Sequence, residues 1–529
     1  MGAVASSRRS RAVLGWVALG IALAALQAIW SVTIPPMASP DEPSHVIHAA
    51  AVVRGQWSGV LGPAPTTPTG EGPATTVHLP SDYASASTLP DCIAHLSNQP
   101  ASCQKPVLPP DGTVAAVDTY AGQYPPLYYL LVGWPSLFLH AVPAMYAMRL
   151  VTGILSSALL VWGLYRLRTV TPRAAWTWAA LAALTPMTLF VGAMVNPQAL
   201  EIASAFAFWA ACLALVRSPD GPGRAVVVQA AVTGALLVNT RTSGPVWALT
   251  IVAVALVLAP KGRMRLLWRL RSIRWAIGVA VVAGLAAVAW VVTHGAIVKG
   301  THPYPVFASP LRAAWFELAQ TSVHLQQMIG NYGWLDAPSP ALTVLVWNAV
   351  VGALLMLAVA ASSRRTRAAL LLSVVVVVAM PVALQIPTAV DTGLIWQGRY
   401  TLPAAVGVPM VAAIALATAP AALEEVVRRM TRWVAVPSVA VAHVAAFAWA
   451  MRRYAVGLDG RFLTLSPNWS SPLGYLSAVA VYAVPVAALA WVAWRSLQPT
   501  TTAATDLAAA PGAPAVATAP AEQPSRSVG

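Results

Sequence analysis

The sequence predicts an all-α, multispanning membrane protein with about twelve transmembrane helices, and three observations carry that expectation. First, 58% of the 529 residues are hydrophobic, only 9% are charged, and the mean hydropathy is +0.66, whereas a soluble domain carries about 25% charged residues. Second, apolar runs of about 20 residues recur along the chain, long enough to cross a hydrocarbon core. Third, the cations sort to one side of those runs. With the N-terminus inside, 22 of the 32 Lys and Arg fall in short inner loops, as the positive-inside rule requires.

The spans expected are 12–33, 144–168, 174–194, 198–216, 225–241, 244–260, 275–295, 341–361, 368–389, 401–422, 433–452 and 473–494. The first is read as an uncleaved anchor, because it is long and lacks a small-residue cleavage site. The apolar stretch 125–142 is broken by Trp134-Pro135, and the charge pattern fails if it crosses; it is expected to lie at the outer interface. Residues 1–11 are then a cytoplasmic N-terminus, 12–496 the membrane domain, and 497–529 a disordered cytoplasmic tail rich in Ala, Pro and Thr. Long outer loops fall at 34–143 and 296–340, with shorter ones at 390–400 and 453–472. Segment 60–118, rich in Pro, Thr, Ser and Ala, reads as a poorly structured excursion.

Both termini are thereby cytoplasmic in a cell membrane, and chemistry is expected in the outer loops. The net charge of +15 belongs to membrane topology. No Lys/Arg-dense tract with interleaved aromatics supports nucleic-acid binding. Cys92 and Cys103 lie in the first outer loop, where an extracytoplasmic setting permits a disulfide, and Cys212 falls in an apolar run.

The candidate chemistry centres on Ser39-Pro40-Asp41-Glu42-Pro43-Ser44-His45, directly after the first span. Prolines forbid a continuing helix there, and adjacent carboxylates at a helix end are costly unless solvated or used. Such a pair can deprotonate an attacking hydroxyl or hold a divalent cation against a phosphate; solvated loop charges are the bland alternative. His45 and His48 follow at helical spacing.

Further candidates sit at the outer ends of spans. They are Tyr124 with Pro125-Pro126-Leu127-Tyr128-Tyr129, Arg149, Asn196 with Glu201 one turn on, Arg241, Trp334 and Asp336 in Gly333-Trp334-Leu335-Asp336, and Arg399 in Gln397-Gly398-Arg399-Tyr400. Arg399 can grip a phosphate bidentately or pair with an outer carboxylate. Asn196 can cap the next helix, and Glu201 can serve chemistry or pair with an arginine. No Walker loop, GxSxG elbow, HExxH or dinucleotide fingerprint is present.

These blocks, in this order over about residues 12–420, resemble the polytopic family called domain of unknown function 2142. More distantly, the pattern is similar to the GT-C superfamily of membrane glycosyltransferases. The resemblance implies a GT-C-like helix arrangement, with outer loops and juxtamembrane helices forming the site. It further implies transfer of a sugar from a polyprenyl-phosphate-linked donor to a cell-envelope glycan or glycoprotein acceptor. Asp41 would be general base or metal-linked carboxylate with Glu42 its partner, and Arg399, with Arg149 or Arg241, would hold the lipid phosphate. His45, Tyr124, Asn196, Trp334 and Asp336 would line the substrate site; the turn that holds Trp334 and Asp336 suits stacking on a sugar face, and equally could seal the loop onto the membrane. The chain departs from the superfamily pattern at Asn196-Pro197-Gln198, where an acidic residue is expected after the proline. The rival readings are a transporter or flippase for a lipid-linked glycan, which should place polar residues and broken helices near mid-membrane, and a non-catalytic envelope protein.

Overall fold

The computed structural model describes residues 2–63, 66–67, 73–218, 221–295 and 303–498. Nearly all of the tail expected to be disordered, and the start of the second long loop, lie outside the described residues. Each of the twelve expected spans corresponds to a helix or a broken pair. In chain order these are α1 (Gly2–Thr33), then α2 (Glu42–Val52) and α3 (Leu127–Val132), which are short and do not span, and α4 (Ala141–Arg168). There follow α5 (Arg173–Ala183) with α6 (Pro186–Gly192), α7 (Pro197–Arg217), α8 (Arg224–Thr240), α9 (Gly244–Leu258) and α10 (Arg271–His294). After the short α11 (Pro310–Ala319) and α12 (Thr321–Ile329) come α13 (Ala341–Ala361), α14 (Arg364–Gln385), α15 (Gly398–Ala405) running into α16 (Gly407–Leu416), α17 (Ala421–Met430), α18 (Val436–Ala455) and α19 (Leu476–Ser496). Among the described residues nine helices are long and apolar enough to cross a membrane, or ten with α5 and α6 taken as one span bent by 64°.

The departures from twelve even spans have local causes. Pro186 cannot continue α5, and the Thr185 hydroxyl caps the new helix by accepting from the Thr188 amide (3.2 Å). Helices α8 and α9 have 17 and 15 residues, so they measure about 25 and 22 Å against a hydrocarbon core of about 30 Å. Their connecting turn, with Arg241, is therefore recessed. Helix α7 is buried almost throughout and forms the centre of the bundle, packed by α4, α8 and α9.

One end of the bundle carries residues 34–140 and 303–340, here the loop end; the other carries the short arginine-rich connections, the basic end. The expectation of a poorly structured 60–118 is overturned. Strands β1 (Val60–Gly62), β2 (Ala74–Pro80) and β3 (Val114–Thr119) form an antiparallel sheet, with Val77 opposite Val117 and Leu79 opposite Ala115. Thr75, Val77 and Leu79 are buried while Thr76, His78 and Pro80 are less so. That alternation is a strand signal hidden by the polar composition. The sheet packs on α2. A disulfide joins Cys92 and Cys103, with Cα atoms 6.1 Å apart, and Cys212 is buried and free. The apolar 125–142 stretch forms α3 and a single 3-10 turn, Trp134–Leu137, and does not span. Gly133 lets this segment meet α2, since a Cβ there would lie 2.3 Å from the Ala49 carbonyl oxygen.

Candidate functional site

The two adjacent carboxylates of the first loop face opposite ways. Asp41 is the residue before α2 and adopts a left-handed backbone (φ 62°, ψ 2°), a conformation a non-glycine side chain adopts at a cost. The turn throws its side chain outward, 47% exposed, and sends Glu42 inward, fully buried.

Glu42 meets Arg149 of α4. Arg149 Nε donates to Glu42 Oε1 (2.7 Å) and Nη2 to Oε2 (2.5 Å), a bidentate pair. Its remaining hydrogens go to the carbonyls of Ser31 (2.8 Å), Ile34 (2.8 Å) and Pro35 (2.9 Å). All five guanidinium hydrogens are engaged, and the Val195 amide also donates to Glu42 Oε1 (3.1 Å). Glu42 as catalytic partner and Arg149 as phosphate ligand are therefore withdrawn: both are sealed, and together they clamp the end of α1 to α4. Asn196 likewise acts in the frame. Its Oδ1 caps α7 through the Gln198 amide (3.0 Å), and its Nδ2 donates to the Pro40 carbonyl (3.3 Å), directly behind Asp41.

Asp41 meets Arg399 of α15, whose Nη2 donates to Asp41 Oδ2 (2.6 Å) while Nε donates to Gln397 Oε1 (2.6 Å). Arg399 Nη1 is buried with no partner. The start of α15 is fixed by α12: the Gly398 amide donates to Gln327 Oε1 (2.7 Å), and a Cβ on Gly398 would strike the His324 carbonyl at 2.1 Å. Burial alone would raise the Asp41 carboxyl, but the charge and hydrogen bond of Arg399, with His45 and Arg241, hold it below its ordinary 3.8.

Arg241, in the recessed turn, lies over the rings of Tyr124 (5.7 Å) and Tyr400 (5.0 Å). Its Nη1 donates to Glu201 Oε2 (3.2 Å), and Glu201 Oε1 accepts from Ser243 Oγ (2.6 Å). Arg241 Nε is buried without a partner. Arg399 also lies over Tyr400 (5.2 Å). His45 shares a hydrogen bond with the Tyr129 hydroxyl through Nδ1 (2.9 Å), and its ring meets Tyr124 edge-on. Burial presses the imidazole down to about 3 despite the Asp41 charge nearby, so it is neutral at ordinary pH.

The structure therefore gathers Asp41, His45, Tyr124, Arg241 and Arg399, and adds Tyr400, Glu201 and Gln397. Trp334 and Asp336 fall elsewhere. Trp334 is buried against His95. Asp336 accepts from Arg453 Nη2 (2.6 Å), and Arg453 also donates to the carbonyls of Ile93, Leu96 and Gln99. Both are corrected from sugar contacts to a tie that fastens the disulfide loop to α18, since neither presents an open polar or aromatic face. Arg453 was missed by sequence reading; a cation at the loop end, against the positive-inside bias, was the available signal.

A divalent cation held by Asp41 and Glu42 does not fit this geometry. Both Glu42 oxygens are committed to Arg149, and Asp41 faces guanidinium groups. Among the described residues no three His, Cys, Asp or Glu side chains converge as a metal site.

No curated protein matches the chain. Among solved structures it is similar to ArnT from Cupriavidus metallidurans in the apo state, at 15% identity over 91% of this chain and 76% of that one, with a TM-score of 0.44. At that score the likeness says nothing about chemistry. The family model described as "Predicted membrane protein (DUF2142)" matches residues 25–408, which take in Asp41, Arg241 and Arg399, and the chain belongs to that family.

Proposed function

We propose that the protein is a membrane glycosyltransferase that moves a sugar from a polyprenyl-phosphate-linked donor to a hydroxyl of a cell-envelope acceptor. We take the loop end as the outer face of the cytoplasmic membrane, with both termini cytoplasmic. The observation that carries the reading is an accessible carboxylate, Asp41, set beside two arginines that each keep one buried nitrogen without a hydrogen-bond partner. Such a group costs about 1–3 kcal/mol when left unsatisfied, and a phosphate oxygen between Arg241 and Arg399 satisfies both. The resemblance to the GT-C superfamily points the same way.

In this mechanism the donor enters laterally and its phosphate takes Arg399 from Asp41. The released carboxylate loses the cation that depressed it and becomes a stronger base. The acceptor hydroxyl oxygen attacks C1 of the sugar and its proton passes to Asp41. The C1–O bond to phosphate breaks, and the lipid phosphate leaves with the electron pair, its new charge balanced by the two guanidinium groups. Tyr124 and Tyr400, ranged about Arg241, offer aromatic faces, and neutral His45 fixes Tyr129 behind Asp41.

The test is sugar transfer from a polyprenyl-phosphate donor pool by the purified full-length protein in lipid. Asp41→Asn should lower transfer by about 10²–10⁴-fold with the fold intact. Transfer that survives undiminished moves the base elsewhere. No transfer by wild type from any such donor, together with movement of a lipid-linked glycan across the bilayer, replaces the enzyme with a transporter.

A further inference from the structure

At the opposite end of the bundle lies a second feature with its own chemistry. An apolar groove of about 140 Å³ runs between α1, α5, α18 and α19. An apolar cavity of about 150 Å³ accommodates a ring such as benzene, so this one takes a segment of chain and not a whole lipid. Its walls include Leu23, Trp176, Val436, Ala440, Ala490 and Ala493. All four helices belong to the membrane-crossing set, counting the bent pair as one span, which puts the groove at membrane depth.

The charge at its mouth selects which lipid. Arg432 lies in the π-helical turn Thr431–Ala435 that leads into α18, about one turn before the groove-lining Val436 and toward the basic end. Its guanidinium sits 4.0 Å from the Trp494 ring centroid and 4.9 Å from that of Trp433, and its Nε is buried with no hydrogen-bond partner. The neighbouring Arg428 and Arg429 both pair with Glu425; among the described residues no carboxylate pairs with Arg432. Arg173, at the start of α5, reaches the Ser496 carbonyl at the end of α19 (3.2 Å), bringing a second cation to the same mouth. Tryptophans at this depth, Trp176 and Trp494 among them, mark the headgroup boundary.

We propose that this groove binds one anionic phospholipid of the leaflet at the basic end, with its phosphate on Arg432 and Arg173 and one acyl chain between α18 and α19. None of these residues belongs to the Asp41 site, and the proposal stands whether or not the protein is a transferase. The experiment uses the full-length protein in phosphatidylcholine discs containing a minor fraction of chain-brominated phosphatidylglycerol, with tryptophan quenching as the readout. Brominated phosphatidylglycerol should quench more than brominated phosphatidylcholine at the same fraction. Arg432→Gln should weaken that preference about fivefold, as expected for one arginine at an anionic lipid surface, and Arg432→Lys should retain most of it. Ala490→Leu, which narrows the groove and leaves the arginines in place, should remove the excess quenching. Equal quenching by the two lipids in wild type overturns the proposal, as does an excess that persists in both Arg432→Gln and Ala490→Leu. Displacement of the brominated lipid by inorganic phosphate also overturns it, because the chain would then contribute nothing.

Discussion

Asp41 and Glu42 are consecutive carboxylates, each paired with an arginine brought from far along the chain, and they do opposite work. The Glu42–Arg149 pair is fully buried, with every oxygen and hydrogen committed. The Asp41–Arg399 pair is half open and incomplete, with one guanidinium nitrogen lacking a partner. The left-handed backbone of Asp41 itself turns the two side chains apart. Saturation makes an ion pair a structural clamp, whereas an incomplete one with an exposed carboxylate is available to a ligand.

Breaking the sealed pair should give the largest effect. Arg149→Gln leaves Glu42 as an uncompensated buried charge, a loss of about 3–5 kcal/mol, so the variant should fail to accumulate as folded protein in a size-exclusion and thermal-unfolding assay. Asp41→Asn should do the reverse, losing transfer while melting close to wild type, because Asn tolerates the left-handed backbone. Arg149→Gln that folds normally while losing transfer would erase the distinction between the two pairs.

Removing Arg399 sharpens the comparison through pH. With the guanidinium present, Asp41 stays ionised below its ordinary 3.8, so the acid limb of kcat/KM should fall beneath that value. Arg399→Gln removes the depressing cation and leaves burial, which raises the carboxyl, so the limb should move to higher pH while the rate drops. A limb that stays in place would mean that Asp41 is not the group titrating. The small stability that this half-exposed pair gives is present above the ordinary carboxylate value and is lost as pH falls through the lowered one.

Arg241 offers a smaller perturbation. Its aromatic neighbours and Glu201 hold it in one orientation. Arg241→Lys keeps the charge but loses the planar fork that stacks and donates from fixed positions. About a tenfold rise in KM for the donor is expected, corresponding to about 1.4 kcal/mol, with little change in melting. Glu201→Gln should produce part of that rise, since it loosens Arg241 without removing it.

Much of the frame was legible in hydropathy and charge. The twelve apolar segments are helices or a broken pair, and the 125–142 stretch, expected at the outer interface, forms the short α3 and a 3-10 turn. The break in the third span was missed because Pro186 is embedded in an apolar run, where only the capping geometry of Thr185 reveals the restart. The sheet over 60–119 was missed because composition was weighed above the alternation of Thr75, Val77 and Leu79. The site was legible as residue types but not as roles. Sequence placed Asp41 and Glu42 together as carboxylates at a helix end, and nothing local distinguishes inward from outward there. That assignment needs the left-handed turn and the far partners Arg149 and Arg399, which only the tertiary fold supplies. Trp334 and Asp336 failed for the same reason, since the Arg453 that captures Asp336 lies 117 residues away.

The smallest expected effect concerns the support beneath Arg399. Glu317 of α11 is almost fully buried, its Oε1 lies 3.6 Å from His324 Nδ1, and α12, which carries His324, holds Gly398 in place. Burial pushes the Glu317 carboxyl up to about 7, and burial also lowers His324. A raised carboxyl binds its proton more tightly in the folded chain than in the unfolded one. Its stabilising contribution is therefore complete below 4.5, its ordinary value, and is lost as pH rises through about 7. Between about 4.5 and about 7 stability should decline by about 1 kcal/mol per pH unit through this group and level off above, and Glu317→Gln should flatten the decline. Thermal unfolding at about pH 5 and about pH 7 distinguishes the cases. Wild type and variant that fall in parallel would show that Glu317 is already ionised and that α12 supports Arg399 independently of pH.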